Sequence, residues 1–287
     1  MKSLTLKKMF ALMMVLVMVL GCFAGCGGGE AEEETGGDAA VTDTSLQDIL
    51  DKGVITVAIS PDYAPYEYLD LMTGEIKGSD IVLAQYIADA LGVELKIEQM
   101  SFESCLAAVE GGSVDISTSC LSWTPDRADV MNLSSYYNMD SAHAQTVMVL
   151  KEDMDKYESM EDFAGLKIAA QNGTTQWTIT NEQIPDVEAV AISQMNDGLL
   201  MLLEGKVDGM TTPADVAQSY IENYDELAVV DFYFNFEEMG NVVATKKGND
   251  ALLEKINEIV EQLEAEGLYA EWIAAAIEDA DAQGLLD

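Results

Sequence analysis

The sequence predicts an α/β protein of two lobes, each built on a mixed, mainly parallel sheet covered by helices. Short apolar strands alternate with amphipathic helices from Val54 onward, and the same alternation restarts after Ala144. Length agrees: once the N-terminal segments are set aside, about 240 residues remain, enough for one large domain or two small ones.

The N-terminus is read first because it has to be removed from the fold. Lys2, Lys7 and Lys8 precede an apolar run over residues 9–20 that is too short to span a bilayer, and small residues follow it. This is the pattern of a secretory signal, assigned to residues 1–25. Gly21-Cys22 and Ala24-Gly25-Cys26 each place a small residue before a cysteine, which resembles the lipobox of bacterial lipoproteins. Cys26 has the better small pair and is the preferred acylation point, with Cys22 as the alternative. Residues 26–44 are mostly Gly, Glu, Ala and Thr, a flexible and self-repelling acidic linker. The first part of lobe 1 is assigned to residues 45–139, lobe 2 to 140–231, and the return to lobe 1 with the C-terminal helices to 232–287.

Within lobe 1 a helix over 45–52 stops at Gly53 and leads into the strand VITVAIS at 54–60. A Pro61–Pro65 turn and a hairpin near Gly74 follow. The helix over 80–91 carries the stripe Ile81, Ala84, Ile87, Ala88 and Leu91. Strands are expected at 93–98 and 114–119, around a helix capped by Ser101. Downstream, strands are expected at 144–150, 166–170, 187–191 and 207–211, with helices at 175–183, 196–203 and 214–224. A late strand at 242–245 and helices at 251–266 and 268–277 complete the chain. The crossings between lobes fall near 137–144 and 230–237, which makes lobe 1 discontinuous.

The formal charge of −38 excludes nucleic acid and bare anionic lipid as partners. The acids are spread along the chain, as on a solvated surface. Cys105 and Cys120 form neither a metal-ligand spacing nor a disulfide framework, and whether they pair is left open. No cofactor motif is present.

Arg127 is the only arginine of the chain. It follows Thr124-Pro125, a good N-cap and first-turn pair, so it falls in the first turn of a helix. A cation is unfavourable there unless an anion is nearby, and guanidinium grips a carboxylate with two parallel bonds. Ser119 and Ser122 offer hydroxyls beside it; the alternative is a structural pair with an acid. A second anion cradle is Asn172-Gly173-Thr174-Thr175-Gln176, between a strand and a helix. Tyr63, Tyr66 and Phe102 stand in loops after strand ends, where open α/β sheets bind ligands.

Together these segments resemble bacterial extracellular solute-binding proteins of family 3, the polar amino-acid receptors of ABC importers. The resemblance is carried by VITVAISPDYAPYEY, GSDIVLAQYIADALGV, SVDISTSCLSWTPDRA, SMEDFAGLKIAAQNGTTQ, LLEGKVDGMTT and ATKKGNDALLEKINEIVEQLEAEG, in the order of the family. It implies a type II periplasmic-binding-protein fold with a two-strand hinge. It also implies an extracytoplasmic protein that captures a small amino-acid-like carboxylate by lobe closure and passes it to a membrane permease; the lipobox-like cysteines add a lipid anchor, and a monomer is assumed. In that reading Tyr63 and Phe102 sandwich the ligand, and Arg127 clamps its carboxylate with help from Ser122 and Thr175. Ser119 and Cys120 bind its ammonium or carboxylate, Thr174 closes from lobe 2, and Gln171 lines the pocket.

Three residues depart from the family. Pro213 stands where an acid pairs with the ligand ammonium, leaving Asp215 as a possible substitute. Ser79 replaces an aromatic residue. Ser60 stands where receptors for cationic amino acids carry an acid, which counts against lysine or arginine. Two rival functions stand beside transport: an enzyme resembling cyclohexadienyl dehydratases, and a signalling or adhesion lipoprotein. His143, the single histidine, is placed in the hinge region without a chemical role.

Overall fold

The computed structural model describes residues 43–139, 144–236 and 240–285. The signal segment, the two lipidation candidates Cys22 and Cys26, and His143 lie outside the described residues.

The first lobe opens with α1 (Ser45–Lys52), β1 (Val54–Ile59), and the small antiparallel sheet β2 (Asp62–Tyr63), β3 (Glu67–Leu69) and β4 (Ile76–Lys77). Then come α2 (Ser79–Leu91), β5 (Glu94–Gln99), α3 (Phe102–Gly111), β6 (Ile116–Ser117), α4 (Pro125–Val130) and β7 (Met131–Asn138). The second lobe holds β8 (Gln145–Leu150), 3-10 turns at Lys151–Lys156 and Met160–Phe163, β9 (Lys167–Gln171) and α5 (Thr175–Gln183). It continues through β10 (Glu188–Ile192), α6 (Met195–Leu203), β11 (Gly209–Pro213), α7 (Ala214–Asn223) and β12 (Leu227–Val229). The chain returns to the first lobe with β13 (Asn241–Lys246), α8 (Asp250–Glu266) and α9 (Leu268–Ala282).

Each lobe has a five-stranded sheet, β5-β1-β6-β13-β7 in the first and β10-β9-β11-β8-β12 in the second. In both, the strands joined by helical crossovers run parallel, and the strands on the other side pair antiparallel. The two sheets are thus mixed, as expected, with parallel and antiparallel pairings in balance. The chain changes sheet between β7 and β8 and again between β12 and β13.

Burial follows the strand period of two residues. In β1, Ile55, Val57 and Ile59 face the core under α2 and α8, while Ala58 faces the core beside α3 with Phe102, Cys105 and Val109. In β8, Val147 and Val149 pack with Phe163 and Ile168, whereas Met148 turns to Leu199, Leu202 and Met210. Both sheets are therefore covered on two faces. Their strands read as continuous apolar runs for that reason.

Three strands have no counterpart in the sequence reading. β2 is a two-residue strand within the stretch read as the Pro61–Pro65 turn. β7 carries Asn132, Ser134, Ser135 and Asn138, too polar to signal a strand; its hydrogen bonds to β13 define it. β12 is a short edge strand that lies against β8. No described helix is long and apolar enough to cross a membrane. Cys105 and Cys120 are both thiols.

Candidate functional site

The carboxyl ends of β1, β9 and β10, and the loops after them, face one another across a cleft between the lobes. Its empty space, counted with the open solvent at its mouth, is about 560 Å3. Residues 60–67, 102 and 119–127 supply one wall, and residues 145, 171–176, 195 and 213 the other. Of the residues singled out from sequence, Tyr63, Phe102, Ser119, Cys120, Ser122, Arg127, Gln171, Thr174 and Thr175 all line it. The side chain of Asp215 lies outside the described residues. Pro213, two residues earlier, is in the lining.

Arg127 is placed by its own helix. The Thr124 side chain caps α4 by accepting from Arg127 N at 3.3 Å, and Pro125 opens the first turn. Its guanidinium donates from Nη1 to Ser122 O at 2.6 Å and lies over the Phe102 ring, 5.4 Å from the centroid. From Nη2 it donates across the cleft to Gly173 O at 3.0 Å. The side chain is held at its base by one lobe and touched at its tip by the other.

Gly173 itself has φ +77°, and a Cβ there would come within 3.3 Å of Glu103 Cα in the opposite lobe. Close approach of the lobes requires a residue without a side chain at this turn. Thr174 caps α5, accepting from Trp177 N at 3.3 Å, and donates its hydroxyl to Gln171 O at 2.6 Å. That hydroxyl is occupied within its own lobe. What the second lobe presents to a guest here is the start of α5, with Thr175 and Gln176.

Asp62 is a residue that the sequence reading missed. Its Oδ1 accepts from Ser60 Oγ at 2.8 Å, and its Oδ2 accepts from Gln171 Nε2 at 2.9 Å and Met195 N at 3.1 Å. Met195 opens α6, whose N-cap Gln194 makes no side-chain cap. A carboxylate from the first lobe thus caps a helix of the second. Burial raises the Asp62 carboxyl above its ordinary range, opposed by the bonds from Ser60, Met195 N and Gln171. Gln145, whose Oε1 accepts from Gln176 Nε2 at 2.9 Å, was also missed. All of these sit at the carboxyl ends of parallel strands or at the lobe crossing, so the switch-point rule was the signal available.

Tyr63 stacks on Tyr66, with centroids 5.2 Å apart and planes 17° from parallel. Ser119 is 1% exposed; its hydroxyl donates to Glu67 Oε1 at 2.9 Å and accepts from Ser60 N at 2.9 Å. It therefore has only a lone pair left for a guest, which suits an ammonium and not a carboxylate. Cys120 has φ 44°, rare for a non-glycine residue, and its N–H is taken by Asp80 Oδ2 at 2.6 Å. Ser79, read as a departure from the family, is within 3.0 Å of the Tyr269 hydroxyl, which itself donates to Asp80 Oδ1 at 2.6 Å. Among the described residues no group of three or more metal-ligating side chains occurs.

The comparisons with known proteins agree with this architecture. The chain is 27% identical over 221 residues to ABC transporter arginine-binding protein 1 of Escherichia coli (strain K12), covering 75% of this chain and 87% of that protein. It is 25% identical over 280 residues to the ABC transporter glutamine-binding protein GlnH of Bacillus subtilis (strain 168), covering 93% of this chain and 98% of that protein. Among solved structures it is similar to AbpA, an amino acid ABC transporter substrate-binding protein of Streptococcus pneumoniae bound to L-arginine. The TM-score there is 0.74 at 33% identity, covering 82% of this chain and 98% of that one. The ancestral amino acid-binding protein AncCDT-1, a precursor of cyclohexadienyl dehydratase, is similar at TM-score 0.69 and 28% identity, covering 82% of this chain and 98% of that one. The family model of the bacterial extracellular solute-binding proteins, family 3, matches residues 55–276, and the chain belongs to that family.

Proposed function

We propose that this chain is the substrate-binding lipoprotein of an ABC importer and captures a small polar amino acid, or a related carboxylate, in the cleft between its lobes. The observation that supports this best is Arg127. It is the sole arginine of a chain with net charge −38, it is 8% exposed, and it lines the cleft between the lobes. A guest carboxylate would lie against the guanidinium and the amino end of α5, its flanks held by Tyr63 and Phe102. Closure is driven by contacts that exist only when the lobes meet, such as those of Asp62 with Gln171 and Met195. The relatives named for arginine and glutamine support an amino-acid guest. Pro213 gives its ammonium no acidic partner from β11.

The enzymatic alternative would require a cleft carboxyl to hand a proton to the guest. Glu67 Oε1 accepts from Ser119, and Oε2 is shut away from solvent. This favours binding over acid chemistry. Anchoring through Cys26, or Cys22, and delivery to a permease complete the proposal.

The test is a thermal-shift panel of the common L-amino acids, their amides and matching α-hydroxy acids, followed by calorimetry on every compound that stabilises the protein. Stabilisation by at least one amino acid with one-to-one stoichiometry is expected. A panel without a single shift, together with turnover of prephenate or arogenate, would replace this reading with the enzymatic one.

A further inference from the structure

Two buried carboxyl groups lie at the floor of the cleft, one of them in its lining. Glu67, on β3, is 1% exposed and Asp80, on α2, is 0% exposed. Adjacent residues of one turn bond one to each of them, Ser119 to Glu67 and Cys120 N to Asp80, and the charge of Asp80 raises the Glu67 carboxyl. Their surroundings differ in the number of donors. Asp80 receives three: Cys120 N at 2.6 Å and the Tyr137 hydroxyl at 2.8 Å on Oδ2, and the Tyr269 hydroxyl at 2.6 Å on Oδ1. Glu67 receives the Ser119 hydroxyl on Oε1 and nothing on Oε2 among the described residues.

A buried carboxylate oxygen with no donor is costly, and two facing carboxylates repel. One proton placed on Glu67 Oε2 and donated to Asp80 removes both penalties. The reverse assignment would put the proton on Asp80, whose oxygens already take three donors, and the charge on Glu67, which takes only the Ser119 hydroxyl besides. Burial, with the charges of Asp80 and Asp62, pushes Glu67 well above the usual carboxyl range. Burial also raises Asp80, less far, to about 7. The tyrosines stay protonated, since burial raises both Tyr137 and Tyr269 well above their ordinary value.

We infer that Glu67 is a positioning residue of the binding cleft: as a neutral acid it donates to Asp80 and accepts from Ser119, and so fixes the Ser119-Cys120 turn on which a guest rests. Each end of that turn is tied to one member of the pair, Ser119 to Glu67 and Cys120 N to Asp80. The bonded pair clamps Cys120 in its left-handed conformation. Loss of the shared proton sets the two tethers against each other. The groups facing the pair are Asp62 from β2, the Cys105 thiol from α3, Cys120, Tyr137 from β7 and Tyr269 from α9. This inference concerns the site proposed above, but part of its test needs no ligand.

Glu67→Gln reproduces both bonds without a titrating proton: its carbonyl accepts from Ser119 and its amide donates to Asp80. Thermal unfolding of the full chain without ligand is followed from pH 5 to pH 9 for wild type, Glu67→Gln and Glu67→Ala, then repeated with Asp62→Asn added to each. A carboxyl raised in the folded state stabilises it below the titration and loses that contribution as pH rises. Wild type is therefore expected to fall increasingly below Glu67→Gln with rising pH, in both backgrounds, while Glu67→Ala lies below Glu67→Gln throughout. The infrared carbonyl band of a protonated carboxyl, present in wild type at pH 7, should be absent from Glu67→Gln. With L-glutamine and L-arginine as probes, the Kd of wild type for whichever binds should rise above the titration point by about tenfold per pH unit. That of Glu67→Gln should stay flat. Parallel unfolding curves for wild type and Glu67→Gln, failure of Glu67→Gln to fold at pH 6, or no loss of the band would each overturn the inference. If neither probe binds, the unfolding and infrared measurements still decide it.

Discussion

On the first lobe the cleft wall carries Asp62, Glu67 and Arg127 together with the rings of Tyr63 and Phe102; on the second it carries Gln145, Gln171, Thr174, Thr175, Gln176, Met195 and Pro213. Every acidic or basic lining side chain therefore comes from one side, and the other answers with amides, hydroxyls and the starts of two helices. Buried charge is tolerated only where hydrogen bonds hold it. The first lobe provides them within itself, through Ser60, Ser119 and Ser122. It can present a preformed site to a guest. In the proposed function the second lobe adds its contacts on closure, and so would govern how long a guest stays more than whether it arrives.

The largest expected effect comes from the charged wall. Arg127→Ala should weaken binding of a carboxylate guest by about 3 kcal/mol, more than a hundredfold, because it breaks a desolvated charge pair. Arg127→Lys should not restore affinity, since an ammonium cannot form the two parallel bonds. Calorimetry on both variants checks this, and unchanged affinity in Arg127→Ala would erase the contrast between the walls.

Next in size is the residue that joins the walls. Asp62→Ala leaves Met195 N and Gln171 Nε2 without their partner across the cleft, at a cost of about 1–3 kcal/mol in the closed state alone. Stopped-flow measurements should show faster release with little change in association rate. A slower association rate at constant release would place Asp62 in guest capture instead. The raised Asp62 carboxyl also carries a sign: burying its ionised form is costly, so its net contribution to closure shrinks as pH rises through its titration.

A smaller effect tests the neutral wall directly. Pro213→Asp places a charge on the second lobe where the guest's ammonium has none to meet. Affinity for α-amino acids should rise by about tenfold, as for one charge-assisted hydrogen bond, with no gain for the matching α-hydroxy acids. An equal gain for both would show that the acid acts on the fold and not on the ammonium.

The same contrast separates what was legible in the sequence from what was not. Strands such as β1 and β8 were visible because burial on both faces leaves an apolar run. β7 was invisible because Asn132, Ser134 and Asn138 satisfy partners in β13 and α8 instead of filling a core. Arg127 was legible as the sole arginine beside a helix start, and Thr174 and Thr175 as a turn before a helix. Asp62 was not, because in an acidic chain one more aspartate carries no signal until its partners Gln171 and Met195 come from more than a hundred residues away. The roles expected of Ser119 and Thr174 also shift. Sequence reveals a hydroxyl but not that its proton is already committed to Glu67 or to Gln171 O.

The smallest expected effect lies where the walls touch without any side chain. Gly173 has φ +77°, its carbonyl accepts from Arg127, and a Cβ would press on Glu103 Cα at 3.3 Å. Gly173→Ala should cost about 1 kcal/mol from the left-handed backbone in any state of the cleft. A further penalty of similar size should appear only when the lobes close, since Glu103 belongs to the opposite wall. Thermal unfolding without ligand reads the first part, and the loss of affinity beyond it reads the second. If the variant lost stability but bound its guest as tightly as wild type, the lobes would have room to spare at this turn. Tight approach at Gly173 would then be no part of closure.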